Sequence, residues 1–137
     1  MKCEKIMLLS IIGMLTMIVG SICLFKLNRT DMSFVKSGEV VFKNDTLNIS
    51  APLSESDLFE IINILDGKML YKDNPSCSFN NNIAIKFNSG TQIFCIACDD
   101  CPIIYWENEN KYFRISEEKN ILLRNILKTY GFIFPCI

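Results

Sequence analysis

The 137-residue chain contains no histidine. This absence removes the commonest general base, the Ser–His and Cys–His nucleophile pairs, and every zinc site that uses imidazole. The sequence also lacks the G-x-G-x-x-G and G-x-x-x-x-G-K-[ST] patterns that bind nucleotide phosphates. It has no internal repeat and no low-complexity tract. We therefore predict that the protein is not an enzyme and uses no cofactor.

A pair of carboxylates would be the remaining route to acid–base catalysis. Asp99 and Asp100 are adjacent, but neighbouring side chains on an extended chain point in opposite directions. They are better suited to a solvated turn before Pro102, where aspartate is favoured because its side chain hydrogen-bonds to nearby backbone groups. They also lack the D-x-D-x-D-G spacing of a calcium loop. We assign no catalytic residue.

An excess of positive charge is absent too. After Ser33 the chain has 10 basic and 13 acidic side chains, which gives a net charge of −3. Proteins that bind nucleic acid usually carry a basic patch or stripe. The balance therefore argues against nucleic acid, and against an anionic lipid surface, as the main partner.

Hydrophobic residues are abundant, and they are concentrated at the start of the chain. An uncharged run begins at Ile6 and ends at Phe25, reading IMLLSIIGMLTMIVGSICLF. A helix of this length spans about 30 Å, the thickness of a bilayer core, and satisfies its own backbone hydrogen bonds there. We predict a short tail over residues 1–5 and a transmembrane signal anchor over residues 6–25, through which the protein contacts the membrane.

Two questions about this run stay open. The alternative to an anchor is a signal peptide cleaved near residues 19–21, which would give a secreted protein, but no A-x-A pattern is present and the run is longer than a usual signal core. Basic residues flank the run on both sides, so the positive-inside comparison is close to a tie. Because a very short N-terminal tail usually stays in the cytoplasm, we predict an uncleaved single-pass anchor with an extracytoplasmic C-terminal domain.

Residues 26–33, KLNRTDMS, predict a juxtamembrane linker because they are polar and aperiodic. Residues 34–137 then form one domain, in which two segments repeat apolar residues at i, i+3, i+4 and i+7, as on one helix face. These residues are Leu58, Ile61, Ile62 and Leu65 in the first segment, and Leu123, Ile126, Leu127 and Tyr130 in the second. Ser54 and Ser116 are suitable N-caps, and Gly67 and Gly131 are suitable stops.

Strand patterns occupy the rest of the domain. EVVFK and TLNIS flank an Asn44–Asp45 turn, and residues 83–87 and 91–97 flank a turn at residues 88–90. IIYW and YFRI flank residues 107–110, which predicts a third hairpin. Residues 83–87 alternate, residues 91–97 are apolar on both faces as in a central strand, and residues 69–71 are a weaker candidate. Tight turns between strands require antiparallel pairing. We predict an α+β fold with a mainly antiparallel sheet of about six strands and two helices on one face.

Cysteine is the unusual feature of the domain. The chain has seven: Cys3 before the apolar run, Cys23 within it, and Cys77, Cys95, Cys98, Cys101 and Cys136 in the domain. An extracytoplasmic location permits disulfides, which small domains use for stability. We predict bridges among Cys77, Cys98, Cys101 and Cys136, with Cys95 as a buried thiol. The connectivity cannot be deduced from the sequence.

Two thiol-based alternatives remain. Cys95, Cys98, Cys101 and Cys136 are the candidate thiolates for a metal. CIACDDCP, at residues 95–102, partly resembles the C-x-x-C-x-x-C run of bacterial ferredoxins, but the fourth cysteine of that run is absent and proline follows the third cysteine instead. A redox role requires a thiol of lowered pKa, whereas the two aspartates between the second and third cysteines raise it.

Aromatic side chains surround the third predicted hairpin. Aromatics are enriched at binding hot spots, and they also serve as sheet core and cross-strand pairs. Tyr105, Trp106 and Tyr112 are our candidates for a binding surface. The sequence thus predicts a membrane-anchored, extracytoplasmic, non-enzymatic domain that binds an unknown protein or small ligand at the cell envelope. The alternative is a cysteine-cluster metal-binding or thiol-redox protein.

Overall fold

The computed structural model describes residues 2–135, without the side chains of residues 2–6 and 25–27. Its helices are α1 (Lys2–Leu27), α2 (Glu55–Leu65) and α3 (Glu117–Thr129), and its strands are β1 (Gly38–Lys43), β2 (Asn48–Pro52), β3 (Ile83–Phe87), β4 (Gln92–Ile96), β5 (Ile103–Trp106) and β6 (Lys111–Arg114). The strands form one antiparallel sheet in the order β2-β1-β3-β4-β5-β6. The α+β prediction is confirmed.

Helix α1 contains the apolar run. Its 18-residue segment Met7–Leu24 has a mean hydropathy of 2.4, and none of it is buried against the rest of the protein. A helix this long and apolar, with its sides free of the domain, has the length and composition of a membrane span, and an N-terminal signal sequence has the same properties.

The two domain helices follow their local sequence signals. The Ser54 hydroxyl caps α2, and the Ser116 hydroxyl caps α3. Gly67 and Gly131 follow the helices with φ of +68° and +94°, in the left-handed region that glycine tolerates best. The apolar stripes of both helices are buried in one core with the aromatic side chains of the sheet, which include Phe42, Phe87, Phe94 and Phe113.

The pleat of the sheet separates two rows of side chains. Toward the helices, Val40, Ile85, Phe94 and Trp106 lie opposite one another on neighbouring strands. On the outer face, Val41, Ala84, Cys95, Tyr105 and Tyr112 form the equivalent row. This outer row is not part of the helix-covered core.

The segment predicted to be a linker differs from that expectation over residues 28–33. Thr30 and Met32 are 3% and 1% exposed. The Thr30 hydroxyl donates to Leu65 O at 2.6 Å and accepts from Lys68 N at 2.7 Å. Met32 lies in the core. These contacts involve residues that are distant in sequence, which local polarity does not reveal, and they join the end of α1 directly to the domain.

The weak strand candidate at residues 69–71 makes two isolated bridges instead of a strand. Met69 pairs with Arg29, and Tyr71 pairs with Tyr112 on the outer edge of β6. The loop that follows, residues 72–82, then leads back to β3.

Candidate binding face and the disulfide-tied loop

An aromatic cluster occupies the outer face of the sheet at its β5–β6 edge. Tyr105 and Tyr112 are cross-strand partners with ring centroids 4.8 Å apart. Phe79, from the 72–82 loop, lies 5.9 Å from Tyr105 and 5.7 Å from Tyr112, and Tyr71 lies 6.1 Å from Tyr112. All four rings are half-buried. We call Tyr71, Phe79, Tyr105 and Tyr112 the aromatic face.

Trp106, the third sequence candidate, lies on the opposite side of the sheet. It is 9% exposed, stacks on Phe94 at 5.0 Å, and donates its indole N–H to Gln92 Oε1 at 2.8 Å. The cause is the strand period of two, because neighbours on a strand point to opposite faces. Trp106 therefore contributes to the core, and only Tyr105 and Tyr112 of the three candidates reach the outer surface.

Two hydroxyl groups of the aromatic face, those of Tyr71 and Tyr105, have raised pKa values. Burial raises the pKa of Tyr105, and the nearby Tyr112 and Glu107 raise it further. Burial also raises the pKa of Tyr71, while the exposed Arg114 acts in the opposite direction. Both phenols are neutral donors near pH 7, since an unperturbed tyrosine titrates near pH 10. Tyr105 donates to Asn110 Oδ1 at 3.1 Å.

A disulfide ties the covering loop to the sheet. Cys77, in the 72–82 loop, bonds to Cys101, which precedes β5, with a Cα–Cα distance of 6.2 Å and a sequence separation of 24. The bond lies two residues before Phe79 and so fixes the loop that carries this ring. Cys98 is also disulfide-bonded. Cys136, the other cysteine predicted to form a bridge, lies outside the described residues.

Arg124 holds the other side of this cysteine segment. It is 6% exposed, and its guanidinium donates to the carbonyls of Ala97, Asp99 and Cys101. It also donates to Asn120 Oδ1 at 3.1 Å and lies over the Phe134 ring at 4.5 Å. Burial lowers the pKa of Arg124. The arginine fixes the backbone of residues 97–101 and hence the position of the disulfide.

Cys95 is a buried thiol under the outer face, 1% exposed, with its Sγ 3.8 Å from Glu107 Oε2. Burial, together with the charge of Glu107 and this contact, raises the pKa of Cys95 to about 12. A thiol of this kind is a poor nucleophile because almost none of it is thiolate at neutral pH.

At least two of the four cysteines proposed as metal ligands are not in the thiolate form that binds a metal. Cys101 is in a disulfide and Cys95 is a buried neutral thiol, so neither is a thiolate. Among the described side chains of residues 7–24 and 28–135, no group of three or more cysteine, aspartate or glutamate side chains is arranged to hold a metal ion. Asp99 accepts from Cys101 N at 3.1 Å, in a turn of the kind that its sequence favours.

Three residues that position the site have no counterpart among the sequence candidates. Arg124 lies at i+4 from Asn120 and next to the apolar stripe of α3, so its helix position indicates burial. Phe79 and Tyr71 lie in aperiodic segments, and only the tertiary fold brings them to Tyr112. The chain matches no protein-family model, no curated protein and no solved structure.

Proposed function

We propose that the chain is a membrane-anchored, extracytoplasmic, non-enzymatic domain that binds a protein partner at the cell envelope through the aromatic face. The observation that carries this proposal is the clustering of four half-buried rings on the side of the sheet opposite the helices. Tyrosine offers a large contact area, a hydroxyl donor and little rotamer entropy, which are the properties of residues that dominate protein interfaces.

The rigidity of the face supports the same reading. Binding is stronger when the contact residues are already ordered, because less entropy is lost on association. Phe79 is held by the Cys77–Cys101 bond, and Tyr71 is held by backbone hydrogen bonds with Tyr112 at 2.8 and 2.9 Å. The exposed Arg114 at the rim adds a cation that suits an acidic or carbonyl-rich partner surface.

The anchor and the disulfide support an extracytoplasmic location together. Helix α1 has the length and composition to hold the domain at a bilayer. Disulfides form and persist in oxidising compartments and are rare in the cytosol of most organisms. A domain on the cytoplasmic side would meet reducing conditions that oppose the Cys77–Cys101 bond.

Site-specific photo-crosslinking in intact cells tests the binding face. A benzophenone amino acid replaces Arg114, at the rim of the face, in one strain and Ile121, which is 60% exposed on α3, in another. We expect one discrete protein adduct from position 114 and none from position 121. Adding Tyr71→Ala to the position-114 probe should reduce the adduct. Equal adducts at both positions, or no adduct at 114, would contradict the proposal.

Protease added to intact cells tests the location. If the domain lies outside the cytoplasm, cleavage in the exposed 80–82 region should occur without lysis and should leave two fragments joined by the Cys77–Cys101 bond until a reductant is added. A domain that is cleaved only after lysis lies on the cytoplasmic side. Membrane fractionation of the same cells separates an anchored chain from a secreted one.

A further inference from the structure

The turn that follows α2 is fastened to the chain where α1 ends. Leu70 N donates to Asn28 O at 2.8 Å, and Asn28 directly follows the last residue of α1. Thr30 N donates to Lys68 O at 2.8 Å. Between these two bonds, Arg29 forms an antiparallel bridge with Met69. Residues 67–70 therefore have a fixed place beside the end of the helix.

If α1 crosses a bilayer, residues 67–70 lie at a fixed depth relative to its hydrocarbon core. The apolar segment ends at Leu24 and the helix ends at Leu27. At a rise of 1.5 Å per residue, the three intervening steps cover about 4.5 Å. The headgroup region on each side of the hydrocarbon core is roughly 5–7 Å thick. Residues 28–30, and the turn bonded to them, therefore begin within the headgroup region.

The side chains at this level suit a lipid interface. Met69 is 61% exposed, while its neighbour Leu70 is buried in the core, so the turn presents a large apolar side chain to the surroundings at this level. Lys68 precedes it, and a long cationic side chain places its charge near lipid phosphates while its alkyl stem stays in the apolar layer. The Arg29 guanidinium instead donates to Gly67 O at 2.8 Å, within the turn. Residues 28–33 and 66–70 carry two cations, Arg29 and Lys68, and two anions, Asp31 and Asp66, so they have no excess positive charge that would require anionic lipid.

We propose that Lys68 and Met69 form a membrane-contact site, with Met69 inserted at the phospholipid interface and Lys68 beside the phosphates. The site rests on the proposed membrane anchoring and holds for either orientation of α1. The contact fixes the orientation of the domain relative to the bilayer, because the turn is bonded to residues 28–30 and cannot move independently of α1. A flexible linker would leave that orientation free.

Tryptophan quenching by lipids brominated near the top of the acyl chain tests this proposal. The full chain is reconstituted into phosphatidylcholine vesicles with Met69→Trp, with Ile133→Trp or with Leu15→Trp. Ile133 is a matched reference, because it is 57% exposed and follows Phe132, which packs on Phe42 of β1, far along the sheet from β6. The wild-type chain gives the background of Trp106, and Leu15→Trp reports insertion of α1.

We expect Leu15→Trp and Met69→Trp to lose emission in brominated vesicles, and Ile133→Trp to keep it. Adding Thr30→Ala to Met69→Trp should weaken the quenching, because the Thr30 hydroxyl makes two of the bonds that fasten the turn. Quenching at position 15 without quenching at position 69 would overturn the contact site and leave the anchor intact. Equal quenching at positions 69 and 133 would also overturn it. Absence of quenching at position 15 would overturn the proposed membrane anchor.

Discussion

The hydroxyl of Tyr130 lies 2.6 Å from Asp57 Oδ2, across a sequence separation of 73 residues. The Tyr130 hydroxyl oxygen also accepts a hydrogen bond from Ser54 N at 2.9 Å. One side chain at the end of α3 thus binds the N-cap and the first turn of α2, and this contact joins the only two α-helices among residues 28–135. It fixes how the helix layer closes over the sheet.

The substitution Tyr130→Phe should therefore destabilise the domain. It removes a bond to a carboxylate and leaves the Ser54 N–H without its partner, which together cost about 1–3 kcal/mol of unfolding free energy. Urea unfolding of the full chain in mild detergent, followed by near-ultraviolet circular dichroism, measures this loss. The matched control is Tyr105→Phe, which removes one neutral, exposed hydrogen bond to Asn110 and should cost about 1 kcal/mol or less. Equal losses of unfolding free energy in the two variants would contradict the role of Tyr130 in joining α2 and α3.

Arg124→Met should be among the most damaging substitutions in α3. The methionine fills similar space but leaves the carbonyls of Ala97 and Cys101 without their donor, and such losses cost about 2–4 kcal/mol. Arg124→Lys should recover only part of this loss, because an ammonium cannot reproduce the planar fork of donors.

The control for this series is Lys128→Met, one turn further along α3 on an exposed position. Its unfolding free energy should stay within about 0.5 kcal/mol of wild type. If Arg124→Met matched Lys128→Met, the buried guanidinium would have no role in holding residues 97–101.

The helices and strands could be predicted because their signals are local. Ser54 and Gly67 bound α2 through their own backbone preferences, and the alternation at residues 83–87 marks β3 without any tertiary information. Short turns force β1 to pair with β2, β3 with β4, and β5 with β6, whereas the pairing of β1 with β3 spans α2 and is not set by a turn. These are properties that a single segment of sequence carries.

The long-range contacts could not be predicted in this way. The sequence predicts that Thr30 is part of a polar linker, yet it is buried because α2 ends beside it. Trp106 reads as a surface candidate until the register of β5 places it toward the helices. The pairing of Cys77 with Cys101 depends on where an aperiodic loop crosses the sheet. Each of these facts requires two distant segments to be placed together first.

The Cys77–Cys101 bond should contribute measurably to stability. For a loop of 24 residues, the chain-entropy relation gives about 3.5 kcal/mol, because the bond restricts the unfolded chain. The double variant Cys77→Ser, Cys101→Ser should show this loss in urea unfolding. Cys23→Ser replaces an exposed free thiol in α1 and should leave the domain unchanged. A double variant as stable as Cys23→Ser would contradict the role of the bond.

Thiol counting checks the complete set of bridges. Cys23 and Cys95 are free thiols, Cys77 is bonded to Cys101, and Cys98 is disulfide-bonded. We predict Cys136 as the partner of Cys98, since the proposed membrane span would separate Cys3 from the domain. Denatured, unreduced protein should therefore take up alkylating reagent at Cys3, Cys23 and Cys95, and a non-reduced digest should contain a peptide that joins Cys98 to Cys136. Labelling of Cys98 or Cys136 before reduction would contradict this prediction.

Stability should fall at alkaline pH because of Cys95. Its folded pKa of about 12 lies above the ordinary value of 9.0 that it regains on unfolding. The folded protein thus retains a proton that the unfolded chain releases. The contribution of the Cys95 thiol to the unfolding free energy is therefore fully present below pH 9 and is lost as pH rises toward 12. Urea unfolding at several pH values between 8 and 12, compared with Cys95→Ala, isolates it from Tyr71 and Tyr105, whose raised pKa values act in the same direction.

Glu107→Gln separates the causes of the Cys95 shift. The carboxylate contributes through its charge and through its contact with Sγ, while burial contributes most and is unaffected by the substitution. The pKa of Cys95 should therefore fall but stay above 9.0. The pH range over which the unfolding free energy decreases should then end at a lower pH than in the wild-type protein. The native thiol should also react faster with iodoacetamide at pH 9 in this variant. If Glu107→Gln left both the reaction rate and the pH profile unchanged, desolvation alone would account for the inert thiol.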